Sequence, residues 1–298
     1  MKNSETYTVS LLIPAYNEKE NIRELLNRLL KQKIDDFILK EIVVIASGCT
    51  DGTEKIVKEF DESKVRLLVQ PTRDGKAPAI NFFLKNASTD IVIIQSADTL
   101  PVDDYTINNL LKPFRNEKTG LTAGRPIPLN NSRKFTTLIN SSLWHLHHRV
   151  SSGCPPKVGE IIAFRNIIQT IPEKTAADEE SISALIQQKG YEAVYVPDAV
   201  VCNKGPEKIS ELIKQRKRIS IGHLWIKKNQ NYIVPSMNIL RLARVLIDEI
   251  IENPKKLLTL TPLIILEVII RLSAAYDFYI RKRNDYIWER IGSTKKLA

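Results

Sequence analysis

The sequence is poor in cysteine and glycine, and both shortages exclude classes of protein. Its 298 residues include only three cysteines, Cys49, Cys154 and Cys202, and no C-x-x-C pair. A disulfide-stapled scaffold and a thiolate zinc site are therefore excluded, and so few cysteines are typical of a reducing compartment. With only 11 glycines and 15 prolines, the chain is neither collagen-like nor of low complexity.

Two glycine-rich phosphate-binding motifs are also absent. No G-x-G-x-x-G follows the first predicted strand, which argues against a dinucleotide cofactor, and no G-x-x-x-x-G-K-[ST] occurs, which excludes a P-loop. The first apolar run is too short for a signal peptide and leads directly into Pro14 and charged residues. We therefore expect the protein to be made and kept in the cytoplasm.

The excess of basic charge lies in the last third of the chain. The net charge is +10, and residues 201–298 carry 19 Lys and Arg against 9 Asp and Glu, whereas residues 1–200 carry equal numbers of each sign. A segment this basic favours nucleic acid, phospholipid head groups or a phosphate-bearing substrate, with a merely solvated face as the alternative. Nucleic acid is the weakest candidate, because no aromatic platforms are interleaved with the basic residues.

Apolar runs alternate with amphipathic segments over the first hundred residues. The runs are near-continuous series of Val, Ile and Leu, which are typical of a mostly parallel, Rossmann-like sheet covered by helices on both faces. With 43% hydrophobic residues, the chain can bury one large α/β domain of this kind. The pattern predicts strands over 8–16, 41–47, 65–70 and 90–98, and helices over 18–33, 52–60 and 76–86.

Polar and charged groups follow each of these strands. Ligands of such sheets bind beyond the carboxyl ends of the strands, so these groups are candidate ligand contacts rather than plain turn formers. They occupy segments 14–18, 47–53, 73–76 and 96–98.

The middle of the chain continues the alternation of helices and strands. Helices are predicted over 135–150, 178–189 and 208–228, and a strand is predicted over 191–201. The helix at 178 opens on three acidic residues, which serve either as catalytic groups or as favourable charges at a helix N-terminus. Segment 229–235 is the best boundary, which divides the chain into an α/β domain over 1–229 and a helical region over 230–298.

Two apolar helices are predicted in that last region, over 238–252 and 257–280. The second is long enough to span a bilayer, but Glu267, Arg271 and Asp277 would each cost roughly 2.5–3.5 kcal/mol at the centre of a membrane. Pairing of Glu267 with Arg271 at i,i+4 reduces that cost. We expect both helices to lie on or dip into the cytoplasmic leaflet, with packing on the protein's own core as the alternative.

Seven motifs occur in a fixed order along the chain. They are IPAYNE (13–18), SGCTDGT (47–53), RDGKAPAIN (73–81), IIQSAD (93–98), VGEIIAFRN (158–166), the acidic pair 178–179 before Gly190-Tyr191, and QRKRI (215–219). Together they resemble the family-2 glycosyltransferases, inverting enzymes of the GT-A fold. The resemblance covers most of the chain, from about Val9 to His223.

The resemblance implies a role for each motif. It makes Asp178 or Glu179 the base that takes the proton of the acceptor hydroxyl, and it makes Asp98 the carboxylate that holds Mg²⁺ or Mn²⁺. Contacts with the diphosphate or the acceptor fall to Gln215, Arg216 and Arg218. Donor contacts fall to Pro14, Tyr16, Glu18, Asp51, Lys76, Ser96 and Asp98.

Three positions depart from the family pattern. Ser96 occupies the first position of the D-x-D motif, which leaves Asp98 as the expected metal ligand. The family's Glu-Asp pair is reversed to Asp178-Glu179, so the sequence leaves open which of the two is the base. Ile219 replaces the tryptophan of the Q-x-x-R-W motif, which loosens the analogy with processive polymerising enzymes.

The implied activity is transfer of a sugar from a UDP- or GDP-linked donor to a lipid-linked or glycan acceptor at the cytoplasmic membrane face, without nucleic acid. One alternative is a sugar-phosphate nucleotidyltransferase, which would normally carry a glycine-rich loop where this chain has IPAYNEKEN. The other is a non-catalytic membrane-binding protein, suggested by the basic C-terminal third and by Ser96.

Two further features are open to a functional interpretation. The histidines of LWHLHHR, His145, His147 and His148, look like a metal site, but no carboxylate or cysteine accompanies them, and a surface or acceptor-side helix is the stronger interpretation. His223 could reach the diphosphate or the metal. The closing Trp288 and Gly292–Lys295 resemble the W…STK tail of membrane-facing family members.

Overall fold

The computed structural model describes residues 6–129, 135–284, 286–287, 291–294 and 297. Its centre is one mixed sheet of eight strands: β1 (Tyr7–Ala15), β2 (Phe37–Ser47), β3 (Val65–Gln70), β4 (Ile91–Gln95), β5 (Thr99–Pro101), β6 (Thr119–Pro128), β7 (Ile161–Arg165) and β8 (Glu192–Asn203). The strands lie in the order β3-β2-β1-β4-β7-β6-β8-β5. This sheet confirms the predicted α/β class.

Helices cover both faces of the sheet and continue beyond it. They are α1 (Ile22–Leu30), α2 (Thr53–Lys58), α3 (Lys76–Leu84), α4 (Thr106–Leu111), α5 (Phe135–Ser151), α6 (Asp178–Gln188), α7 (Ile209–Gln230), α8 (Ile239–Glu252) and α9 (Leu257–Tyr279). Short 3-10 turns lie at Lys112–Arg115, Pro235–Met237, Pro254–Lys256 and Gly292–Thr294. The predicted helices are all present, with ends shifted by a few residues.

Strand β1 explains why the apolar runs are continuous. Successive side chains of a strand point to opposite faces. Leu11 and Ile13 pack with α1 in one core cluster, and Leu12 packs with α3 and α6 in the other. All three are fully buried, so every position of the run is apolar, as expected for a strand covered on both sides.

The sheet is less parallel than its first half suggests. Strands β1, β2, β3 and β4 pair in parallel, but β7 lies antiparallel between β4 and β6. The predicted single strand over 90–98 is also wrong. It ends at Gln95, because the Thr99 amide and hydroxyl both donate to the Ser96 carbonyl, at 3.2 and 2.8 Å, and close a turn before β5.

The C-terminal helices pack on the α/β domain with one face only. Leu260 and Leu263 of α9 share a cluster with Ile139 of α5 and Leu212 of α7. The charged residues that oppose membrane insertion face the same way. Arg216 binds Glu267 and Lys217 binds Asp277 at 2.7 Å, both from α7 to α9. One side of α9 therefore packs on the protein's own core, and its other side leaves an apolar surface exposed. Contact of that surface with a membrane stays a prediction.

The serine of the predicted tail lies near this region. Ser293 donates a hydrogen bond to Glu211 near the start of α7. Trp288 and Lys295, the two ends of the tail motif, lie outside the described residues.

Candidate active site

The first two strand-end loops are tied together at the carboxyl edge of the sheet. Pro14 lies opposite Ile45 near the ends of β1 and β2. Beyond it, Asn17 has a left-handed backbone with φ of 54°, and its side-chain Oδ1 accepts a hydrogen bond from the Thr50 amide at 2.8 Å. The Glu18 amide donates to Thr53 Oγ1 at 2.9 Å. These two polar segments therefore lie side by side.

The two acidic residues of these loops are engaged within them. Asp51 accepts hydrogen bonds from the Thr53 amide at 3.0 Å, the Thr53 hydroxyl at 2.6 Å and the Lys19 amide at 3.1 Å. Glu18 is buried, and Asn21 Nδ2 donates to its Oε2 at 3.2 Å. These contacts set the shape of the loops, and a contact of either carboxylate with a donor stays a prediction.

The third strand-end loop reaches the first through Arg73. Its guanidinium carbon lies 3.8 Å from the centre of the Tyr16 ring, which is a cation–π contact. Gly48 permits this approach, because it has φ of 62° and an added Cβ would lie 2.9 Å from the Arg73 amide nitrogen. The sequence analysis included Arg73 among the candidate ligand contacts of segment 73–76 but gave it no individual role. Its position before Asp-Gly-Lys was the one available signal.

An ion pair joins α3 to α6 at their N-termini. Lys76 is the first residue of α3, Glu179 is the second of α6, and Lys76 Nζ donates to Glu179 Oε1. Burial alone would lower the pKa of Lys76, but the charges of Glu179 and Asp178 outweigh it and raise the pKa. Burial would likewise raise the pKa of Glu179, but Lys76 holds it below its usual value. Both partners are therefore ionised at neutral pH.

The two neighbours of Glu179 are held differently. Asp178 is 2% exposed, and burial raises its pKa to about 7 against the opposing charge of Lys76. Its Oδ1 is buried and has no hydrogen-bond partner among the described residues. Burial also raises the pKa of Glu180 to about 7, and Glu180 Oε1 accepts a hydrogen bond from the Val158 amide at 3.1 Å. Of the three consecutive acids, Glu179 is the one whose pKa is lowered, whereas burial raises the pKa of the other two.

The turn after β4 carries Ser96 and Asp98 and lies against Glu160. The Ser96 amide donates to the Glu160 carbonyl at 2.9 Å, and Asn203 Nδ2 donates to Glu160 Oε1 at 3.2 Å. Burial raises the pKa of Glu160 to about 7, and the charge of Asp98 adds to the effect. The sequence analysis missed Glu160, because nothing in VGEIIAFRN distinguishes it until β7 is placed beside β4.

The oxygen donors at this edge suit a divalent cation. Mg²⁺ is bound in proteins by one or two carboxylates together with substrate phosphates, and Mn²⁺ prefers similar oxygen ligands. Asp98 and Glu160 offer two carboxylates within range of each other's charge. In the described part of the chain, no set of three or more His, Cys, Asp or Glu side chains could hold a metal ion. Phosphate oxygens would therefore have to complete the coordination.

The predicted basic motif of α7 is divided between two environments. Arg216 is turned to the C-terminal helix, where its Nε and Nη2 lie 2.7 and 2.9 Å from the two carboxylate oxygens of Glu267. Arg218 is buried and Gln215 is half-buried. Burial lowers the pKa of His223 well below its usual value, so this side chain is neutral. Roles for these residues on a diphosphate or acceptor stay predictions.

The three histidines of α5 do not converge. His145 Nε2 lies 2.8 Å from Glu249 of α8, whereas His148 Nδ1 lies 2.8 Å from the Tyr195 hydroxyl of β8. His147 is buried, and burial lowers its pKa well below the usual value. Adjacent residues of a helix are rotated by about 100°, which explains why neighbours in sequence bind different elements.

Comparisons with known proteins agree with these observations. The profile of Glycosyl transferase family 2 matches residues 10–168, more than half of the chain. The poly-beta-1,6-N-acetyl-D-glucosamine synthase of Staphylococcus epidermidis is 28% identical over 231 residues, which are 72% of this chain and 54% of that protein. The synthase of Staphylococcus aureus strain COL is 28% identical over 234 residues, with the same coverage. The chain thus spans about half the length of these curated relatives.

Solved structures share the fold. The mannosyltransferase PcManGT from Pyrobaculum calidifontis, in complex with GDP-Man and Mn²⁺, superposes with a TM-score of 0.66 at 22% identity over 92% of this chain and 88% of that one. Glucosyl-3-phosphoglycerate synthase from Mycobacterium tuberculosis, in complex with Mn²⁺, UDP and phosphoglyceric acid, has a TM-score of 0.51 at 20% identity over 72% and 76%. Since the family profile covers more than half of the residues and the sheet is that of these enzymes, this chain is a glycosyltransferase of family 2 with the GT-A fold.

Proposed function

We propose that this chain transfers a sugar from a UDP- or GDP-linked donor to a lipid-linked or glycan acceptor, with inversion and with Mg²⁺ or Mn²⁺. The single observation that carries the proposal is the Lys76–Glu179 ion pair beside the strand-end loops. It brings a cation suited to a departing diphosphate next to a carboxylate suited to an acceptor hydroxyl.

The donor side is built from Asp98 and Lys76. A divalent cation bound at Asp98 would neutralise charge on the leaving diphosphate. Lys76 adds a second positive charge from the first turn of a nine-residue helix, where backbone N–H groups also favour anions. Tyr16, held under Arg73, and Asp51 lie on the neighbouring loops, in keeping with contacts to the nucleoside.

On the acceptor side, we assign the base to Glu179 rather than Asp178. A general base must come within hydrogen-bond reach of the proton that it removes. The Glu179 side chain is 13% exposed, whereas Asp178 is sealed at 2%. When a diphosphate draws Lys76 away, Glu179 loses the charge that lowers its pKa and becomes a stronger base. Donor binding would thus prepare the base for the acceptor.

Relatives of similar sequence favour a carbohydrate acceptor. The curated matches are named as synthases of poly-beta-1,6-N-acetyl-D-glucosamine, which supports a role in making a polysaccharide or glycolipid. Because this chain spans about half of their length, and because Ile219 stands in place of the motif tryptophan, we do not extend the proposal to repeated addition of sugars.

A binding panel tests the proposed activity. We expect at least one of UDP-N-acetylglucosamine, UDP-glucose and GDP-mannose to bind with Mn²⁺ in calorimetry, and EDTA to weaken that binding by roughly tenfold or more, since one charge-assisted contact contributes about 1.5 kcal/mol or more. Turnover should release a nucleoside diphosphate. Release of pyrophosphate would favour a nucleotidyltransferase, and no binding of any donor would favour a non-catalytic protein.

We further propose that α8 and α9 rest on the cytoplasmic leaflet of the membrane. Residues Pro254–Tyr279 form a helical segment that is long and apolar enough to cross a bilayer. Only 22% of its apolar 18-residue stretch is buried in the protein. Leu240 and Leu258 are 83% and 81% exposed. Lys255 and Arg281 are exposed near the two ends of α9, where basic side chains favour anionic lipid by about 1 kcal/mol each.

Vesicle binding tests the membrane proposal. The double variant Leu240→Glu/Leu258→Glu should bind vesicles of phosphatidylglycerol and phosphatidylcholine at least tenfold more weakly than the wild type, because each leucine loses roughly 1.5–3 kcal/mol of apolar burial. Co-sedimentation measures the change. The matched control is Ile38→Glu, which changes an exposed apolar residue of β2 in the α/β domain rather than of α8 or α9. Equal binding by the double variant and the wild type would refute the proposal.

A further inference from the structure

The residue opposite Ser96 across the sheet is an acid. Strands β4 and β7 are antiparallel, and their register pairs Gln95 with Ile161. The next pair outward is Ser96 with Glu160, which the Ser96 amide joins by donating to the Glu160 carbonyl at 2.9 Å. Both residues lie just outside the ladder, and the Ser96 side chain is also hydrogen-bonded to the Glu160 carboxyl. Glu160 therefore occupies the same local space as the side chain of residue 96.

The backbone of Glu160 is held in an uncommon conformation. Its φ is 49°, in the left-handed region that residues other than glycine seldom adopt. Strained residues are concentrated at functional sites, and the carboxyl of this one is hydrogen-bonded to Ser96, in the turn that carries Asp98.

The Glu160 side chain is also positioned by a partner from a third strand. Asn203, the last residue of β8, donates from Nδ2 to Glu160 Oε1 at 3.2 Å. The charge of Asp98 is felt at the Glu160 carboxyl, and Lys76 opposes it. Two carboxylates near each other without a cation repel, so a divalent ion between them would be stabilised by both.

We propose that Glu160 supplies, together with Asp98, the second carboxylate of the divalent-cation site, in the place left by Ser96. This inference rests on the proposed function, because the cation is the one that accompanies the nucleotide-sugar donor. Ser96 directly follows β4 and Glu160 directly precedes β7, and the hydrogen bond between their side chains supports a carboxylate from Glu160 in place of one from residue 96.

Mn²⁺ binding tests the inference without requiring turnover. Free Mn²⁺ is measured by electron paramagnetic resonance in titrations of the protein with UDP or GDP present. Glu160→Gln should weaken Mn²⁺ binding by roughly ten- to a hundredfold, the range seen when a metal site loses a supporting group. The double variant Ser96→Asp/Glu160→Gln should recover most of the affinity, because it returns a carboxylate to the same space.

The matched control is Glu173→Gln, an exposed acid-to-amide change that should leave the Mn²⁺ affinity unchanged. Thermal unfolding establishes that each variant is folded. Wild-type affinity in Glu160→Gln would overturn the inference while leaving the proposed function standing, and so would failure of the double variant to recover. If the wild type itself binds no Mn²⁺ with either nucleotide, both this inference and the metal-dependent function are wrong.

Discussion

Replacing Glu179 by glutamine is expected to reduce sugar transfer by roughly 10²–10⁴-fold, the contribution of a positioned general base. Glutamine keeps the shape of the side chain but cannot accept the acceptor's proton. Donor affinity should change little, because the groups that we assign to the donor, Lys76 for the diphosphate and Asp98 for its cation, are both retained. Steady-state kinetics would therefore show a fall in kcat with the KM for the donor nearly unchanged.

Two comparison variants separate the base from its ion pair. Lys76→Gln also breaks the contact with Glu179, but it should mainly raise the donor KM, because it removes a charge next to the diphosphate. Asp178→Asn should cost less than Glu179→Gln. A larger loss in Asp178→Asn, with Glu179→Gln close to the wild type, would assign the base to Asp178 instead.

The pH dependence of kcat/KM tests the assignment of Glu179 as the base. A carboxylate base works when ionised, and Lys76 holds the pKa of Glu179 below its usual value in the free enzyme. With Mn²⁺ saturating, so that the cation keeps its own carboxylates ionised, the acidic limb of kcat/KM, which reports free-enzyme groups, should lie at lower pH than that of an ordinary glutamate. If Asp178 were the base, with its pKa near 7, the limb would lie near neutrality.

Replacing Asp98 by asparagine is expected to have the second large effect, a loss of roughly a thousandfold in transfer. Electrostatic stabilisation by a bound cation supplies several kcal/mol in such reactions, and each 1.36 kcal/mol is a factor of ten in rate. Asparagine is similar in size but lacks the negative charge that we assign to holding the cation. The difference between donor binding with Mn²⁺ and with EDTA should also disappear.

A nearby substitution of the same kind provides the control. Asp104 is exposed, and Asp104→Asn makes the same acid-to-amide change six residues along the chain. It should retain full activity and the full effect of Mn²⁺ on donor binding. If Asp98→Asn keeps both properties as well, the cation does not depend on this carboxylate and the site assignment is wrong.

Much of the sheet could be predicted from local pattern. The runs in β1, β2 and β4 are apolar at every position because both faces are covered, and a local pattern of this kind survives in the sequence. The sequence did not indicate that β4 ends at Gln95, because the hydrogen bonds from Thr99 to Ser96 form only once the chain has turned. The antiparallel β7 was also hidden, since short apolar strands carry no mark of direction.

The candidate site was predicted only in part, because its motifs are local in sequence but the contacts between them form on folding. Lys76 and Glu179 lie 103 residues apart, and each belonged to a recognisable motif, but their ion pair follows only from the folded helices α3 and α6. Arg73 and Glu160 were missed as individual residues, because their significance comes from the Tyr16 ring and the Ser96 turn beside them. The sequence assigned Arg216 to the diphosphate or the acceptor, which stays a prediction, but it did not indicate the ion pair of Arg216 with Glu267.

By itself, the sequence determined the α/β class, the four polar strand ends and the concentration of basic charge in the last third, because composition and periodicity are properties of the chain alone. Only the tertiary structure decided which charges face one another. Whether an acid is ionised, paired or sealed depends on distance and burial, and these arise when residues far apart in the chain are brought within a few ångströms. The sequence does not distinguish the neighbouring acids 178–180, but in the folded chain the pKa of Glu179 is lowered and those of Asp178 and Glu180 are raised.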